Sequence, residues 1–107
     1  MNPKVKICGN TNLTDVQFGI KFGADFLGFI FAKSKRTIDP EKVAAIVKSE
    51  PDFHNFVGVF ANQPKQEVEQ IVKRLNLKWL QFHGEETSRY CHYFVEKGYQ
   101  VIKSFHI

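Results

Sequence analysis

Lys4-Val5-Lys6-Ile7-Cys8-Gly9-Asn10-Thr11-Asn12 decides how the chain is read, because a short strand runs there straight into a turn and a helix start. Side chains alternate along a strand, so Lys6 and Cys8 fall on one side and Val5 and Ile7 on the other. Gly9 allows a sharp turn and leaves open space beside Cys8. Asn12 suits the cap of a helix beginning at Leu13, where the first backbone N–H groups lack partners. A thiol at the carboxyl end of a strand, next to a helix amino terminus, stands where α/β proteins place their chemistry.

The same unit recurs outward from this stretch. Leu13, Val16 and Ile20 share a helical stripe that Gly23 closes. Phe26-Leu27-Gly28-Phe29-Ile30-Phe31 is apolar on both faces, the pattern of a strand covered on both sides. A polar loop over residues 32–37 leads to Asp39-Pro40, a cap followed by proline at the first helical position, with Val43, Ile46 and Val47 as the buried stripe. Phe56-Val57-Gly58-Val59-Phe60 reads as a third strand. Pro64 opens the next helix, whose inner face is Val68, Ile71, Val72 and Leu75. Trp79-Leu80-Gln81-Phe82-His83 forms a fourth strand. Gly84-Glu85-Glu86 then starts a helix with acidic residues at the favourable dipole end, and Tyr90, Cys91, Phe94 and Val95 form its apolar face. Gly98 ends it, and a fifth strand covers Val101-Ile102-Lys103-Ser104-Phe105.

The pattern is α/β, a parallel (βα)₄β segment over residues 1–107, read as a single domain without linker or repeat of sequence. Periodicity alone leaves two architectures open. One is a five-stranded open doubly wound sheet, and the other is the first part of a (βα)₈ barrel, which takes roughly 200 residues or more. A chain folding by itself favours the open sheet, because a half barrel would leave its interior face and two strand edges in water.

Composition narrows the partners. Of the 107 residues, 43% are hydrophobic and eleven are Phe, enough for a sizeable core. The net charge of +4 suits an anionic partner, but Lys and Arg are dispersed, which argues against nucleic acid. Met1-Asn2-Pro3-Lys4 has no signal-peptide core, and no stretch approaches a membrane span of about 20 apolar residues. The cytoplasm is the expected compartment. Cys8 and Cys91 have no C-x-x-C spacing, and His54, His83, His92 and His106 show no zinc-ligand spacing, so no metal is expected. Cys91 and His92 read as helix core and helix surface.

Five motifs in order carry a resemblance. They are Lys6-Ile7-Cys8-Gly9-x-Thr11, Gly23-Ala24-Asp25-x-x-Gly28-Phe29, Lys33-Ser34-x-Arg36, Val57-Gly58-Val59-Phe60-x-Asn62 and Leu80-Gln81-x-His83-Gly84. Together they resemble phosphoribosylanthranilate isomerase, a (βα)₈-barrel enzyme of tryptophan biosynthesis, over its amino-terminal half. The resemblance implies an Amadori rearrangement of a small phosphorylated aminosugar, N-(5-phosphoribosyl)anthranilate. A general acid opens the sugar to a Schiff base, and a general base removes the C2′ proton. The resulting enolamine tautomerises to the ketone. No cofactor is implied, because the substrate nitrogen is the electron sink.

Carried over residue by residue, the resemblance makes Cys8 the general base. That role asks for the thiolate, which a nearby helix amino terminus and Lys6 would favour. Arg36 meets the anthranilate carboxylate, for which a guanidinium fork is suited as a lysine is not. Gln81 and His83 share a face at the end of the fourth strand and are expected to line the substrate pocket. Asn10 stands where the family more often has Ile or Leu. The implied general acid, an aspartate ending the next strand, and the phosphate loops have no counterpart, since Asp15, Asp25, Asp39 and Asp52 lie elsewhere. The chain is therefore expected to be nearly inactive alone. The alternative is a non-catalytic half barrel that associates with its own copies or pairs with a carboxyl-terminal half; an open-sheet ligand-binding domain is a third reading.

Overall fold

The computed structural model describes residues 4–32 and 37–104. Among these, five strands alternate with four helices: β1 (Lys6–Ile7), α1 (Leu13–Phe22), β2 (Phe26–Ile30), α2 (Pro40–Ser49), β3 (Phe56–Phe60), α3 (Lys65–Leu75), β4 (Trp79–Phe82), α4 (Ser88–Glu96) and β5 (Gln100–Lys103). Local chemistry sets the boundaries. Asn12 accepts from Asp15 N at 2.8 Å to cap α1, and Gly23, at φ 94°, closes it. Asp39 accepts from Glu41 N at 2.8 Å to cap α2, with Pro40 as its first residue. Pro64 sits one residue ahead of α3.

The strands pair in parallel in the order β1-β2-β3-β4-β5. A doubly wound sheet reverses its strand order once, which sends helices to both faces. Here the order never reverses, and right-handed crossovers lay every helix on one side. The open sheet, favoured for a chain folding by itself because it exposes no interior face, is thereby excluded, and the fold is the first half of a (βα)₈ barrel.

The core agrees with that placement. Leu27, Phe29, Phe31, Phe56, Phe60, Leu80 and Phe82 from the sheet meet Val16, Val43, Ile46, Val68, Val72 and Phe94 from the helices. Residues 26–31 are thus covered by helices on one face, not two. Their other neighbours in register, Phe26, Gly28 and Ile30, share a face with Val57, Val59, Trp79 and Gln81.

That second face is concave. Neighbouring strands lie about 4.8 Å apart, so β1 and β4 would be separated by about 14 Å in a flat sheet. Yet Lys6 of β1 hydrogen-bonds Gln81 of β4. Phe26 of β2 meets Trp79 of β4 edge to face at 4.8 Å between ring centroids. Both contacts gather these side chains on one face, as the inner wall of a barrel does.

The chain departs from its expected pattern at α4. The helix begins at Ser88, capped by Thr87, whose hydroxyl accepts from Tyr90 N at 3.1 Å. Glu85 and Glu86 therefore belong to the preceding loop. Val95, expected on the apolar face, is 50% exposed.

Candidate active site

β1 delivers two functional groups to the concave face. Lys6 points there from within the strand, and Cys8 follows two residues later as a half-buried free thiol. Gly9 turns the chain immediately afterwards with φ 77°, a conformation that favours glycine. Asn10 then ties the turn to β2: its side-chain amide donates to Ile7 O at 3.0 Å and Gly28 O at 2.9 Å. It is 3% exposed and accounts for both of its N–H groups. A polar residue thus stands where the resemblance implies Ile or Leu, and both of its amide hydrogens are used.

The sulfur lies over a gap left by Gly28. A Cβ at that glycine would stand 3.1 Å from Cys8 Sγ and 3.6 Å from Val59 Cγ2. On its open side the thiol is met by the Lys6 ammonium, which donates to Sγ and also to Gln81 Oε1. The Gln81 amide in turn donates to Ser104 Oγ at 2.9 Å. Lys6, Cys8, Gln81 and Ser104 therefore form one hydrogen-bonded row across the carboxyl end of the sheet, from β1 to the residue following β5. The Lys6 ammonium beside the sulfur and the space left by Gly28 give Cys8 a polar neighbour and an open approach on the concave face.

The other candidates are placed as follows. His83 follows β4, is exposed, and donates its backbone N–H to Phe60 O at 2.8 Å. Arg36 lies outside the described residues. Cys91 is half-buried on α4; burial pushes its thiol above the ordinary range, opposed by Lys103. His92, 68% exposed, pairs with Glu96 at 3.0 Å on the helix surface. Among the described residues, no group of three or more His, Cys, Asp and Glu side chains is placed to hold a metal ion, and no helix is long and apolar enough to cross a membrane.

One part of the rim escaped the sequence. Glu86, with its side chain 1% exposed, accepts from Asn62 N at 2.7 Å and Gly84 N at 2.9 Å and sits 3.6 Å from Lys103 Nζ. Asn62 Oδ1 accepts from Glu85 N at 2.7 Å, and Lys103 Nζ donates to Gly84 O at 2.7 Å. This lattice fixes the loops after β3 and β4 to the end of β5. The available signal was the repeated spacing of a strand followed by Asn62 or Gly84 two residues on. Glu86, expected at the dipole end of the helix, instead holds the loops together.

Comparison with known proteins adds family relations to this geometry. The family model described as N-(5′-phosphoribosyl)anthranilate (PRA) isomerase matches residues 5–107. An N-(5′-phosphoribosyl)anthranilate isomerase from Caldanaerobacter subterraneus subsp. tengcongensis is 40% identical over 104 residues, covering 97% of this chain and 50% of that protein. The crystal structure of phosphoribosyl anthranilate isomerase from Thermus thermophilus superposes with a TM-score of 0.90 at 40% identity, over 98% of this chain and 52% of that one. A phosphoribosyl anthranilate isomerase solved in complex with reduced 1-(o-carboxyphenylamino)-1-deoxyribulose 5-phosphate matches with a TM-score of 0.90 at 41% identity, over 95% and 53% of the two chains. The chain thus spans about half the length of the relatives it matches.

Proposed function

The chain belongs to the N-(5′-phosphoribosyl)anthranilate isomerase family, and from that premise we propose that it is the Cys8-bearing half of an enzyme performing the aldose-to-ketose rearrangement of N-(5′-phosphoribosyl)anthranilate. The observation that carries the reading is the Cys8 thiol on the concave face at the carboxyl end of the strands, with the Lys6 ammonium against it. In a (βα)₈ barrel, chemistry takes place at this end. The relative solved with reduced 1-(o-carboxyphenylamino)-1-deoxyribulose 5-phosphate holds a molecule of the expected product class.

The roles follow from the chemistry. A general acid protonates the sugar ring oxygen and opens it to the Schiff base. Cys8, as thiolate, takes the C2′ proton, and the electron pair moves onto the substrate nitrogen to give the enolamine, which tautomerises to the ketone. Arg36 would grip the anthranilate carboxylate, and Gln81 and His83 would line the pocket. The general acid and phosphate site would come from the other half of the barrel.

The test uses the fluorescence of the anthranilate substrate. The chain alone should give no measurable turnover, and mixing it with the carboxyl-terminal half of a close relative should restore it. In the restored enzyme Cys8→Ala should lower kcat by about 10²–10⁴-fold. Full turnover by that variant would remove Cys8 from the mechanism.

A second reading rests on a separate observation. Phe18 and Phe22 on α1 are each 68% exposed, and Phe18 lines a cleft with Ile7 of β1, whose outer edge is unpaired among the described strands. A half barrel that associates without catalysis would use that edge, and restored turnover on mixing distinguishes the two readings.

A further inference from the structure

The row of side chains on the concave face contains a residue whose two ends are both engaged by the protein. We propose that Gln81 is a positioning residue that holds the Lys6 ammonium against the Cys8 sulfur. Its bearing on catalysis rests on the reading of Cys8 as the base. The inference itself concerns the geometry and reactivity of the thiol.

Hydrogen-bond chemistry fixes the arrangement. An ammonium only donates, so Lys6 Nζ can be met only by the carbonyl oxygen of the Gln81 amide. That turns the NH₂ group toward Ser104, whose hydroxyl accepts at 2.9 Å. The amide has one orientation that satisfies both neighbours. Lys6 has a long stem with several rotatable bonds and would otherwise follow its preferred hydration into solvent. Gln81 gives it a second acceptor beyond the sulfur, reached across three strand spacings.

The choice of an amide matters as much as its position. Among the described residues, the ion pairs include none made by Lys6. A neutral acceptor holds the ammonium while leaving its whole charge for the sulfur. A carboxylate at residue 81 would hold it equally well and offset that charge.

The test is the rate at which iodoacetamide alkylates Cys8 at neutral pH, read by peptide mass mapping. Cys91 serves as an internal gauge of the fold in the same molecule. Gln81→Met and Lys6→Met should each slow Cys8 by about tenfold. The double variant should be no slower than either single one, because Gln81 acts only through Lys6. Gln81→Glu should also slow Cys8, since it keeps the hydrogen bond and the packing but takes up the charge. The proposal is overturned if Gln81→Met or Gln81→Glu alkylates within twofold of the parent, or if the two Met substitutions multiply in the double variant. Each Cys8 rate is taken relative to Cys91 in the same molecule, so a general change of the fold cancels and the Met pair decides. No turnover is measured, so the positioning role can stand even if Cys8→Ala leaves the restored enzyme active.

Discussion

The place of Cys8, just past a strand end and on the same side as Lys6, was legible because alternation and the Gly9 turn are local properties. The contact of Gln81 with Lys6 was not, because those residues are 75 apart in sequence and come together only when the sheet forms. Gly28 illustrates the same division. It appeared within an apolar strand, and the structure shows that the missing Cβ makes room for Cys8 Sγ. Gly28→Ala should therefore leave stability within about 1 kcal/mol, since a strand tolerates Ala at least as well as Gly. It should displace the sulfur, and turnover of the restored enzyme should fall by about 10²-fold, the scale associated with sub-ångström to ångström misplacement. A large loss of stability in urea with normal turnover in the surviving fraction would contradict this. Asn10 makes the opposite prediction. Its buried amide serves Ile7 O and Gly28 O, so Asn10→Ala should cost about 1–3 kcal/mol of unfolding free energy, read as a lower urea midpoint at unchanged slope.

At the scale of elements, the strand and helix pattern followed directly from periodicity and caps. β3 occupies Phe56–Phe60 as its apolar run predicts, and α1 runs from Leu13 to the Gly23 closure. The helix α4 did not follow, because Glu86 is drawn into the loop lattice with Asn62 and Gly84 and so cannot serve a first turn. The same helix is fastened by hydroxyls. Tyr90 donates to Gln63 O at 2.6 Å, and Tyr93 donates to Glu69, whose carboxyl is held below its ordinary range chiefly by that bond. Burial, with a smaller contribution from Glu86, pushes the Tyr90 phenol up to about 12. The sign is set by linkage: below pH 10 both folded and unfolded chains keep the proton, and stability is unaffected. Between about pH 10 and 12 the unfolded chain releases it while the fold retains it, so stability falls as pH rises. Urea titrations across that window should show the decline, and Tyr90→Phe should flatten it. An unchanged slope in the Phe variant would place the alkaline sensitivity elsewhere.

The whole molecule presents two faces of different completeness. Helices seal one side of the sheet, while the concave side carries Phe26, Ile30, Trp79 and Ile102, all half-buried, with the edges of β1 and β5 unpaired among the described strands. Local sequence cannot distinguish these faces, because an apolar run reads the same whether its second cover is a helix or the far wall of a barrel; the motifs resolved what periodicity left open. Trp79 is the single tryptophan of the chain and lies on that concave face against Phe26, which makes it a direct reporter of closure. If the face is covered by association, acrylamide quenching of its emission should weaken as chain concentration rises, and the emission should move to shorter wavelength. Adding the carboxyl-terminal half of a relative should produce the same change at low concentration, in proportion to recovered turnover. Replacing Phe18 and Phe22 with Ser should shift the association to higher concentration, since both rings are exposed and off the helix–sheet core, and Phe18 lines a cleft beside Ile7. Quenching that is independent of concentration and of added half barrel would mean that the concave face stays open to water.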